Sequence, residues 1–238
     1  MGGGNSVHVF IIGIVMVNIL LERYTFNDPM LYDTLKEYIK PQHRVAVVPF
    51  SFRDNRVKGI EDWENLYGKD HGKFYGDIIA AFGTYGIAEE QIEFINYFTD
   101  TKESARQKVE AADILHFLGG LPDRMYERLA EFDLLGIMAA HEGIAMGYSA
   151  GAVIQLAEYH LSPDEDYPAF GYYPGIGYLD GFYEEVHYTG SDVQKASIKK
   201  VLAERRKPVY ATGGNAAIVV DNGKMITLGD VEVFYPAD

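Results

Sequence analysis

The sequence predicts an α/β fold: a doubly wound, mostly parallel sheet with helices on both faces and a C-terminal β-hairpin. Three observations carry this reading. Short β-branched runs alternate with amphipathic stretches through the first 158 residues. The runs are apolar throughout rather than alternating, as in strands covered on both faces. Near the C-terminus two apolar runs flank Asp221-Asn222-Gly223, and an Asn-Gly pair at that place is a hairpin turn.

The elements follow in order. Phe10 to Leu21 is apolar except for Gly13 and Asn18, and no charged residue precedes Glu22. It is too short for a spanning helix, which needs about 20 apolar residues, and it lacks the basic flank of a secretory signal. It reads as a buried strand, Val7–Ile14, and the turn after it. The Gly-rich stretch Met1 to Ser6 reads as unstructured. Asp28-Pro29 pairs an N-cap residue with Pro at the first helical position and opens a helix to about Ile39. Arg44–Phe50 is the second strand. Phe74 to Gly83 is helical and stops at a glycine. Ile92–Phe98 is a strand, Thr101 to Ala111 a helix, Ile114–Leu118 a strand and Asp123 to Ala130 a helix. Ile144–Gly147 is the last parallel strand, with a helical pattern over Ala152 to Glu158. A further helix runs from Asp192 to Glu204. The hairpin joins Ala217–Val220 to Lys224–Leu228. No boundary signal divides the chain, so residues 1–238 read as one domain.

The 238 residues include 35 acidic and 21 basic side chains, a formal net charge of −14. Such a balance argues against nucleic acid and anionic membrane as partners. The chain has no Cys. That excludes disulfides, thiolate metal sites and a cysteine nucleophile, and it suits a cytoplasmic protein.

The motif that carries chemistry is Gly147-Tyr148-Ser149-Ala150-Gly151. A serine between small residues at a strand-to-helix turn is a nucleophile elbow. The flanking glycines permit a sharp turn without Cβ clashes. The serine hydroxyl then projects over a helix N-terminus whose amides and dipole stabilise a developing oxyanion. Gly119-Gly120, after the apolar run Ile114 to Leu118, is the second element. Glycines at a strand's carboxyl end let backbone approach a ligand. The N–H of Gly120, or those of Gly119 and Leu121, would complete the oxyanion hole with that of Ala150. Seven histidines are candidates for a general base, and His116, inside a buried strand, reads as a core residue. His160 and His187 follow the elbow.

These residues resemble the serine peptidases that include dipeptidase E (aspartyl dipeptidase) and cyanophycinase, relatives of the class I glutamine amidotransferase fold. The resemblance runs from about Val45 to the C-terminus. It rests on Gly119-Gly120, on the elbow Gly147-Tyr148-Ser149-Ala150-Gly151-Ala152, on Val186-His187-Tyr188, and on the terminal hairpin Ile218 to Phe234. It implies a Ser149–His187–Asp164 triad, with Glu165 and Asp166 as alternatives for the acid. The residue types suit that role, because an imidazole activates a serine hydroxyl and a carboxylate fixes the imidazole's tautomer. His160 would stand at the far end of the elbow helix, roughly 15 Å from its start at 1.5 Å per residue. The chain departs from the family at Leu121, where Asn is usual, at Val186 for Pro, and at Gly213-Gly214-Asn215 for a Pro-Glu-Gly stretch. Gln194 stands where an arginine reads the acidic side chain in dipeptidase E. Arg124 is the cation nearest the oxyanion glycines, and with Gly119 and Leu121 it is the expected substrate contact.

The expected activity is therefore hydrolysis of short peptides through an acyl-enzyme, with no metal or organic cofactor. A small peptide is the expected partner, and a homodimer is an assembly open to the chain. Two alternatives stand beside it: a non-catalytic relative that binds a small ligand in the same crevice, and an esterase of the α/β-hydrolase type.

Overall fold

The computed structural model describes residues 16–237. The strand expected at Val7–Ile14 and the stretch Met1 to Ser6 lie outside the described residues.

The first described strand is β1, Val17–Leu21, where the sequence reading placed a turn. Asn18 prompted that reading, yet it is buried, and its side-chain amide donates to Gln155 Oε1 at 3.1 Å. A buried polar group with a partner does not break a strand. The order continues α1 Pro29–Leu35, β2 Val45–Val48, α2 Ile60–Tyr67, α3 Tyr75–Gly83 and β3 Ile92–Phe94. Then come α4 Lys102–Ala111, β4 Ile114–Phe117, α5 Pro122–Glu131, α6 Leu135–Ala139 and β5 Ile144–Tyr148. The C-terminal third holds α7 Ala150–Val153, β6 Glu158–Leu161, β7 Gly171–Pro174, β8 Tyr183–Glu185, α8 Asp192–Arg205, β9 Val209–Asp221 and β10 Lys224–Phe234.

Among the described residues the main sheet has eight strands in the order β10-β9-β1-β5-β4-β2-β3, with β8 also paired to β9. The five strands from β1 to β3 are mutually parallel, and β9 runs antiparallel to β1 and β10. Burial alternates faces strictly along the parallel strands. Val45 and Val47 of β2 pack with Leu31 and Leu35 of α1, Trp63 of α2 and Phe82 of α3. Ala46 and Val48 pack with Val109 of α4, Leu129 of α5, Met138 of α6 and Val153 of α7. Helices thus cover both faces, which is why the strands are apolar on both sides. No helix among the described residues is long and apolar enough to cross a membrane.

Three expected elements differ. Helix α1 stops at Leu35, although the Ile39 N–H still reaches Leu35 O at 2.9 Å in the turns that follow. Strand β3 ends at Phe94, short of Phe98, where Asn96 instead bonds to Asp100 and Phe98. The helix expected over Ala152 to Glu158 is a single turn, α7. The Ile154 carbonyl that would accept a helical bond from residue 158 accepts from Ile176 N at 2.8 Å, and Glu158 begins a strand paired with Pro174.

Candidate active site

The site is built at the carboxyl ends of β1, β4 and β5, where ligands bind in open α/β sheets. Strand β5 ends at Tyr148, α7 begins at Ala150, and Ser149 joins them at φ 54° and ψ −115°. Few non-glycine residues adopt such a backbone, and it is the strained turn of a nucleophile elbow. The Ser149 N–H holds the turn by donating to Leu21 O at 3.0 Å. A Cβ on Gly147 would collide with the carbonyls of Gly151 and Phe117, and one on Gly151 would strike Phe117 O. Both glycines are therefore required by the approach of the elbow to the end of β4, as well as by the turn.

Ser149 Oγ lies 2.7 Å from His187 Nε2. On the far side of the ring, His187 Nδ1 lies 2.6 Å from Glu22 Oε1, and the His187 backbone N–H donates to Glu22 Oε2 at 2.9 Å. Glu22 follows β1 directly and is buried. A carboxylate only accepts, so Nδ1 carries the proton and Nε2 is left free to accept from the serine hydroxyl. Hydrogen bonding to Glu22 raises the pKa of His187 above the ordinary imidazole value, against the opposing effect of burial.

The two expected oxyanion donors frame the same space. Ala150 opens α7, where a backbone N–H has no acceptor within the helix. Gly120 has φ +144°, and a side chain there would collide with Ser51. The Ser51 hydroxyl fixes this loop by donating to Gly119 O at 2.7 Å. A cavity of about 540 Å³ contains Ser149, His187, Gly119, Gly120 and Ala150, and it is walled by Tyr24, Phe74, Tyr148 and Tyr167. Among the described residues no cluster of three or more His, Asp or Glu side chains is placed to hold a metal ion.

The Peptidase family S51 model matches residues 67–228, more than half of the chain. The chain belongs to peptidase family S51. It is similar in fold to a Listeria monocytogenes EGD-e protein named provisionally as a peptidase E, with a TM-score of 0.58 and 18% identity over 89% of this chain and 97% of that one. It is also similar to a peptidase from an acI-B1 Actinobacterium, with a TM-score of 0.61 and 17% identity over 97% and 92% of the two chains. Identities this low show the fold. No curated protein matches the chain. Membership of S51 makes it a serine peptidase, in line with the resemblance read from the sequence.

The geometry of this S51 peptidase departs from expectation at several residues. The carboxylate on His187 is Glu22, not Asp164. Asp164 lies in the same cavity, but its Oδ1 accepts the N–H groups of Asp166 and Tyr167 at 2.8 and 2.7 Å and so shapes the 164–167 turn. The alternatives fare no better: Glu165 is exposed, and Asp166 pairs with Arg53 through both carboxylate oxygens. Arg124 is exposed and pairs with Glu127 at 2.6 Å and Asp54 at 3.6 Å, so the cations at the cavity are Arg23 and Arg53 instead. The Leu121 N–H donates to Ser51 O at 2.7 Å, which spends it on the loop rather than on substrate. Gln194, at the start of α8, holds the backbone of His187: its Nε2 donates to His187 O at 3.0 Å. His160 is buried in β6 against Glu185, 2.6 Å from its Oε2, rather than at a helix end. His116 is fully buried, and burial pushes its pKa down to about 3, as expected of a core residue.

Glu22 is the residue that sequence reasoning missed. One signal pointed to it: it is the first charge after the apolar run, and the carboxyl end of a buried strand is where α/β sites form.

Proposed function

We propose that this S51 peptidase hydrolyses short peptides through an acyl-enzyme, with Ser149 as nucleophile, His187 as base and Glu22 as the supporting acid. The observation that carries the reading is the line from Ser149 Oγ through both imidazole nitrogens to a buried carboxylate, at 2.7 and 2.6 Å. In this mechanism Ser149 Oγ attacks the scissile carbonyl carbon while His187 Nε2 takes the hydroxyl proton. The carbonyl oxygen becomes an oxyanion facing the N–H groups of Gly120 and Ala150. Collapse breaks the C–N bond, and the imidazolium returns the proton to the leaving amine. Water then attacks the ester with His187 again as base, which releases the acid and restores the serine.

A cavity of about 540 Å³ matches a ligand of a few residues rather than a folded protein chain. Of the two cations at the cavity, Arg53 is already paired with Asp166, which leaves Arg23 as the cation open to a substrate carboxylate. A cytoplasmic setting completes the reading, consistent with the absence of Cys. A fluorophosphonate and a panel of dipeptides and tripeptides test it. Stoichiometric labelling of Ser149 with turnover of one or more peptides is expected; a protein that neither labels nor cleaves overturns the reading.

A further inference from the structure

A second buried carboxyl group stands behind the first, and the mechanism above leaves it idle. Glu184 of β8 is 1% exposed. Thr212 of β9 lies between it and Glu22, with its Oγ1 3.2 Å from Glu184 Oε1 and 3.2 Å from Glu22 Oε2. A threonine hydroxyl has one hydrogen, so it cannot donate to both carboxylates. One of the two must bring a proton of its own. Glu22 already accepts the ring N–H of His187 on one oxygen and its backbone N–H on the other, an arrangement that favours the ionised carboxylate. Glu184 Oε2 has no partner among the described residues, which suits the carbonyl oxygen of a neutral acid and would leave a charged oxygen stranded.

We propose that Glu184 is a positioning residue for the catalytic base. As a neutral acid it donates to Thr212 Oγ1, which forces the threonine hydroxyl to donate to Glu22 Oε2. All the hydrogen bonds then converge on Glu22 and fix its carboxylate against His187. The inference rests on the Ser149–His187–Glu22 reading for its consequence in catalysis, but not for the protonation of Glu184. The charged and titratable groups that bear on Glu184 are few. Glu22 approaches from the end of β1 and His187 lies beyond it. Glu185, next in β8, is engaged separately with His160 and Ser162 of the 158–162 segment. Burial and the Glu22 charge both push the Glu184 pKa up, to about 8.

The test follows His187 by NMR across pH in the full-length protein and in the E184Q, T212S and T212V variants. A glutamine keeps the donor to Thr212 and the neutral charge. The His187 midpoint is therefore expected to stay where it is in E184Q. A fall of about one unit, the loss expected when a nearby negative charge is removed, would show that Glu184 is ionised and overturn the proposal. T212S is expected to retain the His187 Nδ1–H resonance, and T212V to lose or shift it. An unchanged resonance in T212V would show that the chain through Thr212 fixes nothing. Fluorophosphonate labelling is measured on the same samples, and T212V is expected to react about tenfold more slowly than T212S, the loss of roughly one hydrogen bond's 1.4 kcal/mol. If the unaltered protein does not label at all, the nucleophile reading fails, while the NMR titration still decides the state of Glu184.

Discussion

Glu22 Oε1 meets His187 Nδ1 at 2.6 Å across 165 positions of sequence. The contact exists because β1 lies beside β5, with Leu21 opposite Tyr148. Glu22 and Ser149 therefore leave neighbouring strands at the same edge of the sheet, and the 183–188 segment returns over that edge to set the imidazole between them.

Replacing Glu22 by Gln is expected to lower kcat by a factor on the order of 10⁴, as loss of the triad acid does in serine proteases. The amide keeps the shape but no longer stabilises the imidazolium. Asp164→Asn is expected to stay within several-fold of the original rate. Steady-state kinetics on one good peptide compare the two, and a greater loss in Asp164→Asn would return the acid to the 164–166 loop.

Ser149→Ala is expected to abolish hydrolysis and fluorophosphonate labelling with Tm unchanged within a few degrees. Alanine occupies the same small space in the elbow, and removal of a triad nucleophile costs on the order of 10⁶ in kcat in a well-studied protease. Residual turnover above a hundredth of the original rate would show that another group attacks.

The pH dependence has two opposite signs at one midpoint. Bonding to Glu22 raises the His187 pKa in the folded state. Its contribution to stability is therefore fully present below the unfolded value of about 6.5 and is lost as pH rises through the folded value. The base, in contrast, works only when deprotonated. Labelling rate is expected to rise with pH through a midpoint above 6.5, while the Tm advantage over Glu22→Gln shrinks across the same interval. A labelling midpoint below that of free imidazole would contradict the pairing.

His160 and His187 each partner a buried glutamate and are separable by labelling. His160 is buried against Glu185, so His160→Ala leaves a buried carboxyl group with Ser162 as its remaining partner, at a cost of about 1–3 kcal/mol. That lowers Tm by about 2–4 °C per kcal/mol in a protein of this size. His187→Ala likewise takes the ring partner from buried Glu22 and is expected to lower Tm, but it alone is expected to lose labelling. Labelling of the two variants, with differential scanning to show that each is folded, decides it; a folded His160→Ala that does not label beside a His187→Ala that does would exchange the roles.

Gly151→Ala is expected to cost both stability and activity, because the added methyl meets Phe117 O and would push the elbow off the end of β4. Gly136→Ala, whose Cβ would meet nothing within 4 Å, is the neutral comparison. Equal melting temperatures in the two variants would show that the elbow is not held by that contact.

What the sequence determined by itself was set by short-range rules. Continuous apolar runs such as Ile114 to Phe117 fixed buried strands, Asn222-Gly223 fixed the hairpin turn, and Gly147 and Gly151 around Ser149 fixed the elbow, because each depends on backbone freedom or burial within a few residues. His187 was legible through the resemblance of its short motif. Tertiary structure decided the rest. The one-turn length of α7 depends on the Ile176 N–H, from a distant loop, donating to Ile154 O at the end of that turn. Asn18 is tolerated in β1 only because Gln155 comes to meet it. The choice of Glu22 over Asp164 turns on the order of strands in the sheet. The acidic loop offers carboxylates at the expected spacing, but its Asp164 is bound to its own backbone amides. A buried carboxylate at the end of an adjacent parallel strand is the one that reaches the ring, and no periodicity along the chain encodes which strand is adjacent.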